Sequence, residues 1–309
     1  MSKKDFICKQ RLFIIGNGFD LEHNLPTSYE YDFKDIANSK EQLDYFWEIY
    51  QSTKPNIWSD FEHCLSKPDF NALEEIFAGY EPDFNSDHES DRDAIIAQVD
   101  LNGRLIESLY EFSKQAEDKI ESIMSRDKYL ACFNKNDLFV NFNYTHTLEK
   151  IYKISKSQIL HIHGEVGENN LILGYPEGEY QPEKYVYDVR QKGRGPYTEI
   201  DVEKHIDNIY KNGILDYYTY TAYFMLIEKT KSFCKIFQIE KLKSFLSGVN
   251  INEIIVIGHS CLIDFVYFKY LNDTYPNALW VFNPFDDGTR KNVNCMIDSL
   301  KIKNAIVKY

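Results

Sequence analysis

The chain has 309 residues, 43% hydrophobic and 15% aromatic, which is enough apolar material for one large core or two unequal ones. A net charge of -13 excludes a general binder of nucleic acid or anionic membrane, because such surfaces need clustered Lys and Arg. The six cysteines form no C-x-x-C pair and no apolar run is long enough to span a bilayer, so reduced thiols, a cytoplasmic location and no signal peptide are expected.

In chain order, Leu12-Phe13-Ile14-Ile15 runs into Gly16-Asn17-Gly18-Phe19-Asp20. Four apolar residues entering a glycine turn read as a strand buried on both faces, as in parallel sheets. Gly16 and Gly18 permit close approach to the backbone, and amides of such a turn can hold phosphate oxygens, although a plain strand-to-loop turn reads the same way. Leu21 stands where a dinucleotide fingerprint wants a third glycine, so this is not the usual nicotinamide-dehydrogenase loop. A helix is expected over 32–51. Ser59 and Glu62 have the spacing of a capping box, or Glu62 is an acid aimed at the first loop. Residues 81–93 hold six acids and read as a solvated excursion. Leu101, Leu105, Leu109, Phe112 and Ala116 recur at helical spacing within 101–124, an amphipathic helix of the layer around a sheet.

A second strand over 137–142 leads to Asn143, Thr145, His146 and Thr147, then a helix over 148–155. Thr145 and Thr147 are both helix-cap candidates. Asn143 is a carboxamide at the carboxyl end of a strand, where open α/β sheets bind ligands. A third strand over 158–165 sets His161 and His163 on one face before Gly164, and 171–174 reads as another short strand. Residues 175–212, rich in Pro, Gly, Tyr and charge, read as an insertion or lid. Helical pattern resumes over 216–247, where Tyr217, Tyr218 and Tyr220 either stack on a base or pack within the protein.

Ile254-Ile255-Val256-Ile257-Gly258-His259-Ser260 repeats the strand-to-glycine pattern, followed by a helix over 264–271. A strand over 278–284 ends in Asn283-Pro284. A helix over 291–300 and a last strand over 305–309 complete the chain. Apolar strands alternating with helices give a doubly wound, mostly parallel, Rossmann-like sheet. One domain over 1–309 is expected, with helical insertions at about 30–130 and 175–247. Gly16, Asn143, His163, Gly258 and Asn283 all fall at carboxyl ends of strands, so one crevice can gather them.

The ordered blocks Gly-Asn-Gly-Phe-Asp-Leu, Leu-Pro-Thr-Ser-Tyr, Trp-Ser-Asp-Phe-Glu, Phe-Asn-Tyr-Thr, His-Ile-His-Gly, Ile-Gly-His-Ser and Phe-Asn-Pro resemble the bacteriophage abortive-infection AbiH family. That family is similar to the sirtuin-like NAD-binding effectors of antiphage defence. Gly16, Gly18, Leu25 and Pro26 match the sirtuin glycine motifs, with Asn24 in a glycine's place, a mild change because Asn tolerates positive φ. Asn143, His163-Gly164, Gly258-His259-Ser260 and Asn283 match later sirtuin positions. Asp20 stands where sirtuins have Ser, Thr145 where they have Asp, Tyr29 where they have Arg, and a four-cysteine zinc ribbon is lacking. The resemblance therefore implies cleavage of the cofactor itself and not deacylation of a protein.

The reading drawn from this is a defence effector that hydrolyses NAD, with no metal required. Gly16, Asn17, Gly18 and Phe19 hold the pyrophosphate, and Pro26, Thr27, Ser28, Thr145, Gly164, Gly258, His259, Ser260 and Asn283 complete the nucleotide site. Asn143 orients the ribose or the attacking water. His163 is the general base, and Asp20 either stabilises an oxocarbenium-like transition state or caps the following turn. Expected partners are NAD or a related nucleotide, with a second copy of the chain or a phage-derived trigger beside it. Two rivals stand next to this reading. One is a metal-dependent phosphoesterase or nuclease using His161, His163, His259, Asp20 and Asp264. The other is a subunit that senses a nucleotide without turning it over.

Overall fold

The computed structural model describes residues 10–39, 48–50, 57–78, 102–180, 185–187, 197–199, 202–215, 217–261 and 263–308. In chain order the strands are β1 (Gln10–Ile15), β2 (Leu138–Asn141), β3 (Ile159–His161), β4 (Tyr185–Tyr187), β5 (Tyr197–Glu199), β6 (Ile251–Ile257), β7 (Leu279–Asn283) and β8 (Ala305–Val307). Six of them form one sheet in the order β3-β2-β1-β6-β7-β8, every neighbouring pair parallel. Ranked by position in the chain, those six run 3-2-1-4-5-6, the doubly wound order whose switch point lies between β1 and β6.

The period of two along β1 explains why it sits in the middle. Leu12 and Ile14 face one core and Phe13 and Ile15 the other, each at most 1% exposed. On the first face Val140, Ile254, Val256, Trp280 and Phe282 meet Leu242, Phe268, Leu271 and Met296 from the helices Ile239–Phe245, Phe265–Thr274 and Asp287–Leu300. On the second, Phe139, Ile255, Ile257 and Val281 meet Phe19, Tyr129, Leu148 and Tyr152 from the helices Asn17–Glu22, Asp127–Cys132 and Thr147–Tyr152. Burying one such side chain contributes about 1.5–3 kcal/mol, so the two faces together anchor the sheet.

The chain parts into two compact units. Met1–Ser28, Leu109–Ile172 and Phe237–Tyr309 make the first, which contains the six-stranded sheet; Tyr29–Ser108 and Leu173–Ile236 make the second. In the second, β4 and β5 pair antiparallel, Trp58 stacks on Phe61 with centroids 5.4 Å apart, and the Tyr50 hydroxyl bonds that of Thr230. Tyr220 stacks on Tyr210 at 3.9 Å, while Tyr217 is exposed.

Several local expectations are corrected. After Ser28 the chain makes a π-type turn, Tyr29–Phe33, and a short helix, Lys34–Asn38, in place of one helix over 32–51. The helix Phe61–Cys64 has Asp60 at its N-cap, with no side-chain cap bond. Glu62 does not close a capping box; its carboxylate takes the buried Lys235 ammonium at 3.0 Å and the Gly174 amide. Residues 171–174 form no strand, and only Tyr175 bridges, to Cys234. The helical stretch over 216–247 breaks into Tyr217–Ser232 and Ile239–Phe245. The acidic excursion at 81–93 and the Gly-Pro segment at 191–196 lie outside the described residues.

Candidate functional site at the carboxyl edge of the sheet

At the switch point the ends of β1 and β6 meet backbone to backbone. The Gly16 amide donates to Ile257 O at 2.9 Å and the Gly18 amide to Gly258 O at 2.8 Å. A Cβ on Gly16 would stand 2.5 Å from His259 Cα, and one on Gly258, at φ +63°, 2.4 Å from the Phe19 nitrogen. Only glycines allow this contact. It also engages the amides expected to hold a pyrophosphate: those of Gly16 and Gly18 go to β6 and its following turn, and that of Phe19 to Gly16 O at 3.0 Å. The Asn17 carboxamide donates to Thr27 O at 2.6 Å, tying the turn to the half-buried Pro26 and Ser28. The Thr27 hydroxyl is buried without a hydrogen-bond partner, a group that a ligand oxygen would complete.

Asp20 lies on the helix Asn17–Glu22 and is fully enclosed. Its Oδ1 accepts from the Thr147 hydroxyl at 2.8 Å and its Oδ2 from the Thr145 hydroxyl. Burial pushes its pKa up to about 6, against the pull of the two threonine bonds and Asn143, with Glu117 adding repulsion. Neither threonine caps the following helix, whose N-cap is His146. Both are committed to the buried acid instead. Asn143, also buried, donates through Nδ2 to Gly16 O at 3.2 Å, while its amide donates to the Asn141 side chain at 3.1 Å. The carboxamide at the end of β2 is thus fixed against the β1 turn.

The two histidines of the third strand part company. β3 ends at His161, and His163 stands beyond it, facing Asp264 at 3.1 Å from Nε2 to Oδ1. His259 Nε2 lies 3.4 Å from the other oxygen of the same carboxylate. The Cys261 amide donates to His259 Nδ1 at 2.9 Å, which leaves the His259 proton on Nε2, toward Asp264. Cys261 adopts φ +62°, a strained conformation of the kind that clusters at sites where geometry matters. Phe142 meets both imidazoles in T-shaped contacts, with centroids 5.0 Å from His163 and 4.4 Å from His259. All three polar residues are buried. With Asp264 accepting from His163 Nε2–H, Nδ1 becomes the basic nitrogen, an orienting arrangement that generalises the carboxylate–histidine pair of hydrolases.

His161 belongs to a third group. Its Nε2 is 2.8 Å from Glu149 Oε1 and its Nδ1 is 3.3 Å from Asn143 O. His146 bridges Glu117 at 3.0 Å and Glu165 at 2.9 Å. Those two carboxylates raise the His146 pKa to about 9, Glu117 chiefly, while the His146 bonds help hold Glu117 down to about 2 despite its burial. The ligand types of the metal-dependent rival therefore divide: Asp20 sits with the threonines, His163 and His259 share Asp264, and His161 joins His146.

One cleft of about 520 Å³ opens beside the switch point, lined by Gly18, Gly258 and Asn283 of the expected set and by Arg11, Lys128, Ile257, Val281 and Phe285. Asp20, Asn143 and His163 are not among its lining residues. The strand-end residues share one edge of the sheet, linked from Asn143 to Gly16, from Gly18 to Gly258 and from Gly258 to Asn283, but they do not share that cleft. Gly164 is buried against Asn170, and Ser260 is exposed. Sequence reasoning named Asp264 only as a metal-ligand type and passed over Glu117, His146, Glu149 and Glu165. The spacings His146-x-x-Glu149 and His161-x-x-x-Glu165 were the available signal.

No curated protein matches the chain. A profile described as bacteriophage abortive infection AbiH matches residues 12–284. With five of the six parallel strands and the glycine turns inside that span, the chain belongs to the bacteriophage abortive infection AbiH family, and its role lies in defence against phage.

Proposed function

We propose that this defence protein binds and hydrolyses NAD+, breaking the bond between nicotinamide and ribose. The observation that carries the reading is the buried His163–Asp264–His259 constellation at the carboxyl edge of a doubly wound sheet, next to the switch point where such sheets take nucleotides. In the proposed step His163 Nδ1 accepts a proton from water as its oxygen bonds to the anomeric carbon. The glycosidic bond breaks with its electron pair leaving on nicotinamide. Asp264 fixes the imidazole and stabilises its charged form, and Asn143 orients water or ribose. The step uses only protein groups. Asp20 acts as a positioning residue: its two threonine bonds hold the segment that carries Asn143.

The test is incubation of pure protein with NAD+, NADP+ and ATP, each with and without divalent metal and chelator, followed by product analysis. Nicotinamide and ADP-ribose formed in the presence of chelator support the reading; phosphate or nucleotide products that vanish with chelator overturn it. The cleft beside the switch point, which lacks Asn143 and His163, favours one second reading, a subunit that senses a nucleotide without turnover. A saturable NAD isotherm with no product would select it.

A further inference from the structure

We infer that His146, His161 and Glu165, with Glu149 as the fourth donor, form a binding site for a divalent transition-metal ion, with the Zn(II) ligand chemistry of two imidazoles and two carboxylates. The site is separate from His163 and Asp264 and independent of the NAD reading. Among the described residues, His146, His161 and Glu165 are the group of three metal-ligating side chains whose donor atoms all lie within 4.8 Å of one another.

The tautomers make the argument. His161 Nδ1 points at the main-chain oxygen of Asn143, a pure acceptor, and His146 Nδ1 at the Glu117 carboxylate, another acceptor. Both Nδ1 atoms must then carry protons, as the outer ring nitrogens of metal-bound histidines do when a carbonyl or carboxylate holds them. In the neutral imidazole that leaves a lone pair on each Nε2. Each of these lone pairs faces a carboxylate oxygen, Glu165 at 2.9 Å and Glu149 at 2.8 Å. Acceptor against acceptor at that distance requires positive charge between them, either added protons or a cation. The other Glu149 oxygen is buried with no hydrogen-bond partner. A carboxylate oxygen left so is costly, and a coordinated cation satisfies it.

Local charge has room for the ion. Three carboxylates, Glu117, Glu149 and Glu165, face two lysines, Lys150 and Lys156, and the His146 imidazole, whose added proton the ion would replace. Lys156 is 71% exposed along its side chain and can swing away from Glu165. Tetrahedral Zn(II) with bonds of about 2.1 Å sets its donors about 3.4 Å apart, so the three donors now within 4.8 Å of one another draw in by about 1–1.5 Å, and Glu149, held on His161, turns in as the fourth. Asn143 O bonds His161 Nδ1, so the ion would brace the end of β2 from outside the reacting centre.

Zn(II) titration of chelator-treated full-length protein against a chromophoric competitor tests this, with thermal unfolding in parallel. The expected result is one equivalent bound per chain and a higher unfolding temperature. His161→Ala and the milder Glu165→Gln each weaken binding at least tenfold. Lys156→Ala, which removes a competing cation, binds as tightly as the parent or more so. Co(II) in place of zinc shows visible bands without thiolate charge transfer. The proposal is overturned if binding is not saturable, if it survives in both His161→Ala and Glu165→Gln, which would put the ion on cysteine thiols, or if the variants fold normally and Lys156→Ala alone lowers stability, the mark of an ion-pair network held by protons. The readout is bound metal, so failure here says nothing about NAD cleavage.

Discussion

A histidine is chemically useful when its second nitrogen is held, and the buried or half-buried histidines beside the sheet are held in different ways. His23 is locked between Phe19 O and the Tyr152 hydroxyl and stays neutral, since burial lowers its pKa. His163 is the one oriented by a carboxylate that also takes a second imidazole, and we expect His163→Ala to lower NAD cleavage by roughly 10²–10⁴-fold, the range typical of a lost general base. Its fold should survive; Asp264→Asn should cost nearly as much in rate with the nucleotide affinity unchanged, and steady-state kinetics with product detection read both. Asp20 gives a different prediction, about stability. Its folded pKa of about 6 lies above the unfolded value, so protonation favours the folded state: the contribution is fully present below about pH 4 and is lost as pH rises through 6. Asp20→Asn removes that loss. The variant should gain on the order of 2–3 kcal/mol over the parent at pH 8 and nothing at pH 4, by urea unfolding at both values. The groups facing Asp20 are Thr145, Thr147 and Asn143, with Glu117 the charge that adds to the shift. A parent and variant with parallel pH profiles would mean that Asp20 stays charged on folding at no cost.

Among the elements, the paired turns after β1 and β6 hold the edge together, and their glycines answer a steric demand. Gly258→Ala places a methyl 2.4 Å from the Phe19 nitrogen in a left-handed conformation, and should destabilise by roughly 2–4 kcal/mol. Gly288→Ala, early in the helix Asp287–Leu300 where a Cβ meets nothing nearer than 3.4 Å, should instead stabilise by up to about 1 kcal/mol. Urea midpoints of the two variants decide; equal midpoints would deny the backbone contact its role. This level was the most legible in the sequence. Apolar runs that enter a glycine turn, such as Leu12–Ile15 and Ile254–Ile257, read as strands buried on two faces and are so, and Asn24 does take a positive φ, of 60°. Less legible was anything set by contact across the chain. Thr145 and Thr147 have the composition of caps, but a buried acid 125 and 127 residues away claims both hydroxyls. His161 and His163 alternate as a strand should, yet β3 stops between them because its pairing with β2 ends at Asn141. Glu62 has capping-box spacing and is taken by Lys235, 173 residues on. Periodicity records which way a side chain points, and carries no information about the partner that meets it there.

The whole molecule carries a charge of -13, and among its described residues no helix is long and apolar enough to cross a membrane. An anionic dinucleotide approaches such a protein against its net field, so binding has to come from local groups. The cleft beside the switch point brings Lys308 together with Arg11, already paired to Asp137, and Lys128, already paired to Glu22, and adds the apolar faces of Ile257, Val281 and Phe285 for a base and Asn283 at the strand end. The cleft holds neither Asn143 nor His163, so NAD+ binding there is what the second reading, a sensor without turnover, expects. A ligand that binds only the folded state stabilises it by RT ln(1 + [L]/Kd), about 2.7 kcal/mol at a hundredfold excess over Kd, so the unfolding temperature should rise with NAD+ concentration. Asn283→Leu keeps the main-chain oxygen that accepts from the Gly258 amide and removes only the carboxamide. It should leave the unliganded unfolding temperature within a degree or two while weakening binding about tenfold, which takes about 1.4 kcal/mol from the stabilisation at a fixed saturating concentration. Thermal unfolding across an NAD+ series in parent and variant measures both quantities. Superimposable series would place the nucleotide outside this cleft, and no shift in either protein would remove NAD+ as its ligand.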